Sequence, residues 1–275
     1  MTKKVLDANF FQDSALEDYL STDPQNFVVF TDVACMEAYK GNALVSIQKS
    51  LGIVSRYPAQ VVVLKPTREI IKNQHATGVT SGVALEDPNQ TKGFRQFCDY
   101  VRLAGAGNHQ LAAQVLALGC EASRHFELMR DASPEVVAGI EEVSASLRPD
   151  HLRSLKKREP LSHEAAEEMI QQILLLAAWF MKKHPDASAV PQNGDELRGS
   201  YIFRYSVAAY LLAMRWISDG GAKTVKPENL RNDVVDMTYV AYATFFDGLL
   251  SRDKKATEIY EEARFLLDEV FVSEP

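Results

Sequence analysis

Cysteine is scarce in this chain, and its pattern excludes two kinds of protein. The three residues, Cys35, Cys98 and Cys120, are an odd number with no CxxC spacing. They supply neither a disulfide framework nor a thiolate zinc site, and they suit a reducing compartment. Long apolar runs are missing as well. The longest, Ile173 to Met181, is too short to span a bilayer, so no membrane contact is expected. The opening Met-Thr-Lys-Lys-Val-Leu-Asp lacks the apolar stretch of a signal peptide, and a cytoplasmic protein is the expectation. Positive charge is in deficit: 30 Lys and Arg against 37 Asp and Glu leave −7. That balance excludes a general nucleic-acid coat, although a local basic patch remains open. The six histidines form no HxxxH or HExxH pattern, so surface or capping roles are expected of them. No serine sits in GxSxG. Gly105-Ala-Gly107 is not a phosphate loop, because no strand precedes it and no Lys-Ser/Thr follows. Internal repeats and low-complexity segments are absent.

What is present is enough for a full core, as one large domain or two small ones: 275 residues, 46% of them hydrophobic and 24% charged. Apolar runs at 3–7, 27–31 and 61–64 read as buried strands, each followed by a helical pattern, and 248–252 reads as a fourth. Helices are expected from Ala8 to about Leu20, Val33 to Lys40, Asn42 to Ser55 and Thr67 to Gln74. Gly78 to Gly93, rich in Gly, Thr, Ser, Asn and Pro, reads as a loop. From 94 to 219 the pattern is helical throughout, near 94–104, 109–130, 134–147, 163–184 and 195–218. A last amphipathic helix runs from Lys254 to Val272. The chain therefore divides into an α/β part made of 1–77 and 225–275 and a helical insertion at 94–219. Neither flank has strands enough for a sheet of its own. The strand at Leu249-Leu250 is expected beside Val5-Leu6 in one parallel sheet, the central layer of a three-layer α/β/α fold.

That pairing has a chemical consequence. Asp7, Asp32, Glu37, Asp233, Asp236 and Asp253 all stand at strand ends or in the first turns of helices, where sites form in open α/β sheets. Asp236, Tyr239, Val240 and Ala243 share one helical face. Clustered carboxylates are unfavourable without a cation, and oxygen ligands suit Mg²⁺ or Mn²⁺ rather than zinc. A structural reading competes: Asp233 and Asp253 as helix caps, and Asp236 as a first-turn acid favoured by the helix dipole.

At these residues the sequence resembles the PIN-domain nucleases. Val5-Leu-Asp-Ala-Asn-Phe-Phe11 is similar to that family's opening motif of a buried strand, Asp, a small residue and Asn. Glu37 in Asp32-Val-Ala-Cys-Met-Glu-Ala-Tyr fits its second acid. Asp236-Met-Thr-Tyr-Val-Ala-Tyr-Ala243 fits its third, and Leu249-Leu-Ser-Arg-Asp253 its fourth. The resemblance covers about 1–75 and 225–272, with a far longer gap between the second and third acids than compact members have. It implies a PIN-like fold and a metal-dependent endoribonuclease that hydrolyses RNA with Mg²⁺ or Mn²⁺ on Asp7, Glu37, Asp236 and Asp253. Asp233 is an alternative third acid. Asn9 would orient Asp7, Ser251 would support Asp253, and Asp32 competes with Glu37 or caps its helix. Toxin, phage-defence and RNA-processing roles all suit such an enzyme, as does a second copy of the chain or a regulatory protein as partner. The runner-up is a non-catalytic helical interaction module on a degenerate PIN-like base.

The one basic run, Arg148 to Arg158, is either a solvated helix face or a contact for RNA phosphates through Arg153, Lys156 and Lys157. Arg198, Arg204 and Arg215 with Tyr201, Tyr205 and Trp216 read as a core-facing stripe in preference to a stacking wall.

Overall fold

The computed structural model of the chain describes residues 1–73, 82–157, 159, 162–184, 191, 193–223 and 225–271. Strands β1 (Thr2–Leu6), β2 (Asn26–Phe30), β3 (Val61–Val63) and β4 (Leu249–Leu250) form one parallel sheet in the order β3-β2-β1-β4. Register pairs Val5 with Val29 on one side and with Leu249 on the other, and Leu6 with Leu250. Val5, Leu6, Val28 and Val29 are all fully buried. Successive strand residues point to opposite faces, so both faces of the sheet are covered.

Capping side chains set where the helices begin. The segment after β1 makes a short 3₁₀ turn at Ala8–Phe10, capped by Asp7. Helix α1 (Ser14–Thr22) starts only at Asp13, which accepts from the Ala15 amide at 2.9 Å, rather than at Ala8 as expected. Thr31 caps α2 (Asp32–Ala38), and Asn42 caps α3 (Ala43–Ser50), which ends short of the expected Ser55. Helix α4 (Thr67–Asn73) follows β3. The expected loop at 78–93 is corrected over its described part, 82–93, which holds α5 (Gly82–Leu85) and the first turns of α6 (Pro88–Gly105). Asp87-Pro88 has loop composition, but here it is a helix start: Asp87 accepts from the Asn89 and Gln90 amides and Pro88 occupies the first turn. Residues 78–81 lie outside the described residues.

The rest is helical: α7 (His109–Asp131), α8 (Ser133–Ser146), α9 (Pro149–Lys156), α10 (His163–Lys183), α11 (Gly194–Gly199), α12 (Tyr201–Ser218) and α13 (Pro227–Ala243). Among the described residues of 94–219 there is no strand. The single helix expected over 195–218 is two, because Ser200 caps a new start by accepting from the Phe203 amide. After β4 comes α14 (Lys254–Phe265), whose last turn widens into a π-turn at Leu266–Val270. Among the described residues no helix is long and apolar enough to cross a membrane.

Two buried clusters result. The first joins the sheet to α6 and α7: Phe11 stacks on Phe30 at 5.4 Å, and Phe30 on Phe94 at 5.5 Å. At Gly119 a Cβ would fall 2.5 Å from that of Ala43, so α7 lies hard against α3. The second cluster centres on Phe203, Val207 and Tyr210 of α12, with Ile173 and Ile259. Helix α13 serves both, sending Val235, Tyr239 and Tyr242 to the first and Met237 and Val240 to the second. The stripe on α12 faces inward as expected: Tyr201 and Trp216 are buried, and Arg204 donates to the Arg198 and Thr244 carbonyls while lying over Phe245.

One polar contact ties the two helices that follow β2 and β3. Asp32 accepts from the Thr67 amide at 2.7 Å and from its hydroxyl at 2.8 Å, and the Thr67 hydroxyl also meets Tyr242 at 2.8 Å. Asp32→Ala should therefore lower unfolding free energy by roughly 1–3 kcal/mol in urea titrations. A loss below about 0.5 kcal/mol, the range of an ordinary surface site, would show that solvent replaces the clip.

Candidate active site

The site begins with the pairing of chain ends. Val5 donates its amide to the Gly248 carbonyl at 2.9 Å, Asp7 donates to Leu250 at 3.0 Å, and Asp247 donates to Lys3 at 2.8 Å. Strands β1 and β4 thus finish at one edge, with Asp7 and Asp253 just beyond them. Asp7 is 3% exposed. Its carboxylate accepts from the Asn9 amide at 3.2 Å, from Asn9 Nδ2 at 2.7 Å and from Ser251 Oγ at 2.5 Å. Asn9 Oδ1 in turn accepts from the Arg252 amide at 2.8 Å, and Ser251 Oγ from the Asp253 amide at 2.9 Å. Asn9 and Ser251 therefore lock the ends of β1 and β4 together around Asp7. Burial pushes the Asp7 carboxyl above its ordinary value; the Ser251 and Asn9 bonds pull back, and Asp253 pushes up again. Asp253 also caps α14, accepting from the Ala256 amide at 2.9 Å.

The other two acids come from helices. Glu37, in the last turn of α2, accepts the Tyr239 hydroxyl at 2.8 Å. Burial raises its pKa; the Tyr239 bond lowers it, Asp7 raises it, and the charges of Lys40 and Arg231 lower it. Asp236, on α13, is pushed up to about 8, first by burial and then by Asp7, Asp253, Glu37 and Asp233. Among the described residues it has no hydrogen-bond or ion-pair partner. Asp236 thus lies in the field of Asp7, Asp253 and Glu37, while Asp7 feels Asp253 and Glu37 feels Asp7. Among the described residues, however, no group of three or more His, Cys, Asp or Glu side chains is arranged to hold a metal ion. The two facts have different ranges. Charges interact across several ångströms of low-dielectric interior, whereas first-sphere ligands must close to about 2 Å around one ion.

The remaining expected site residues are engaged elsewhere or lie apart. Asp233 is neutralised, accepting from Trp216 Nε1 at 3.1 Å and pairing with Lys255. That leaves Asp236 as the uncompensated acid of the two. Asp32 is held by Thr67 and is not a charge neighbour of Asp7, Glu37 or Asp236. Arg153, Lys156 and Lys157 are exposed on or beside α9, which packs on α12, and they too are absent from the charge interactions of Asp7, Glu37 and Asp236. The cations that reach the acids are Arg231 and Lys40 instead. Arg231 was findable by extending the α13 pattern back to Pro227. Among the described residues no histidine is a charge neighbour of Asp7, Glu37 or Asp236, but the surface role expected of His151 is corrected. It is 8% exposed, its helix α9 packs on α12, and its Nδ1 pairs with Glu168 of α10. His75 lies outside the described residues.

The charge on Asp236 has a measurable consequence. Its carboxyl titrates at 3.8 when unperturbed and at about 8 in the fold. Between those values the native state holds a proton that the unfolded chain has released, so this group costs stability as pH rises. Asp236→Asn, neutral throughout, should raise the metal-free melting temperature at pH 8 by roughly a few degrees and leave it unchanged at about pH 4. Equal melting at pH 8 would show that neither burial nor the neighbouring carboxylates penalise the ionised Asp236. Comparison of the chain with family models, curated proteins and solved structures finds no match.

Proposed function

We propose that this chain is a Mg²⁺- or Mn²⁺-dependent endoribonuclease with a PIN-like three-layer fold, the metal held by Asp7, Glu37, Asp236 and Asp253. One observation carries the reading: Asp236 lies in the field of Asp7, Asp253 and Glu37 with no cation of its own. Proteins leave like charges so placed where something positive completes them. The order of parts agrees with the motif resemblance: an acid after β1, one on the helix after β2, one on the helix before β4 and one after β4. All four donors are carboxylate oxygens, the set that suits a hard divalent ion.

Each residue has a part. Asn9 and Ser251 fix the Asp7 carboxylate, Ser251 also fixes the Asp253 backbone, and Tyr239 fixes Glu37. A bound divalent ion would supply Lewis-acid stabilisation of a phosphodiester and activation of a water. Arg231 and Lys40 set a positive flank beside Glu37 for the RNA backbone. Helices of 94–219 shape the approach. Asp236 must give up its proton to bind the ion, so Mn²⁺ affinity should rise with pH until about 8.

The test is cleavage of total RNA with Mn²⁺. Wild type should cut, EDTA should stop it, and Asp236→Asn should lose about 100-fold or more. Cleavage untouched by EDTA would contradict the metal. RNA left whole under every condition would favour the second reading, an interaction module. Its support is an apolar stripe on α10, where Leu175 is 63% and Trp179 54% exposed.

A further inference from the structure

We infer that Tyr239 is the positioning residue of the acidic site: its hydroxyl, donated from α13 to Glu37 on α2, sets the spacing and orientation of Glu37 relative to Asp236. The inference rests on the metal-site reading above and assigns a role to a residue outside the ligand set.

Tyr239 lies three residues after Asp236, so both stand on the same face of α13. Its side chain is fully buried in the sheet-side cluster. A buried phenol needs a partner, and this one donates to Glu37 Oε2 at 2.8 Å across 202 residues of chain. Among the described residues it is the only hydrogen-bond donor to the Glu37 side chain; Lys40 and Arg231 act on it by charge. Engaging Oε2 leaves Oε1 for an ion and removes rotamers from a side chain with three torsions. A single group thereby links the helix of the second acid to the helix of the third.

The same helix supplies its own control. Tyr242, one turn on, is equally buried, but its hydroxyl meets Thr67 at 2.8 Å, in the clip with Asp32. Packing alone predicts that losing either hydroxyl has the same consequence. Positioning predicts that only Tyr239 matters for metal.

Mn²⁺ uptake by the full chain, followed through the paramagnetic resonance signal of free Mn²⁺, separates the two. Wild type, Y239F, Y242F, E37Q and the double variant Y239F/E37Q are compared, with metal-free melts of each. Y239F should bind about 10- to 100-fold more weakly, the usual effect of losing a group that orients a ligand. Y242F should bind like wild type, with a comparable metal-free melt. The double variant should bind no more weakly than E37Q alone, since Tyr239 acts through Glu37. Wild-type affinity in Y239F, effects that multiply in the double variant, or a fold lost in Y239F and kept in Y242F would each overturn the positioning role. A wild type that takes up no Mn²⁺ would overturn the metal-site reading itself.

Discussion

Like charges do not gather at a sheet edge unless the chain is made to hold them there. In this protein the pairing of β1 with β4 does so, joining residues some 240 positions apart through bonds such as Asp7 to Leu250 and Val5 to Gly248. The acids are then compensated unequally. Asp7 and Asp253 accept backbone amides at the starts of helical turns, where the helix dipole favours negative charge. Glu37 has a phenol. Asp236 has no such partner among the described residues, and its carboxyl is pushed up to about 8. The capping reading holds for Asp253, and Asp7 caps the turn after β1, but α13 begins at Pro227, so Asp233 is not a cap and Asp236 is not a first-turn acid.

Helix α13 connects this edge to the rest of the molecule. One side of it packs on the sheet and the other on α12 and α14, and it ends against Arg204 and Arg264, which donate to the Thr244 and Phe246 carbonyls. Cations at a helix C-terminus are favourable in themselves. Burial holds the Arg204 pKa down to about 10, yet it remains charged at neutral pH. The helices of the middle segment are not hung outside this arrangement. Phe94 and Val115 belong to the sheet-side core: α6 covers β3, and α7 packs on α6, α3 and α13.

Local chemistry was legible in the sequence wherever the decisive partners were near in the chain. An apolar run ending in an acid, Val5-Leu6-Asp7, marks a strand end; its parallel pairing with Leu249-Leu250 followed from the lack of strands in each flank. What was missed depends on distant partners or on residues with two local meanings. Asp87-Pro88 and Ser200 have turn composition and act as helix starts. Asp233 and Asp236 are equivalent on paper and differ only because Lys255 and Trp216 reach the first. Tyr239 reads as one more apolar position until α2 is brought against it. His151 looked like a surface residue because Glu168 sits on another helix. Nothing local distinguishes a substrate, and the proposal of RNA rests on the motif resemblance alone.

The most direct test of the central claim is a crystal grown with Mn²⁺ and measured for anomalous scattering. The account predicts a single strong peak at the end of β1 and β4, ligated by Asp7, Asp236 and at least one of Glu37 and Asp253. A peak elsewhere, or none with Mn²⁺ in large excess, would contradict it.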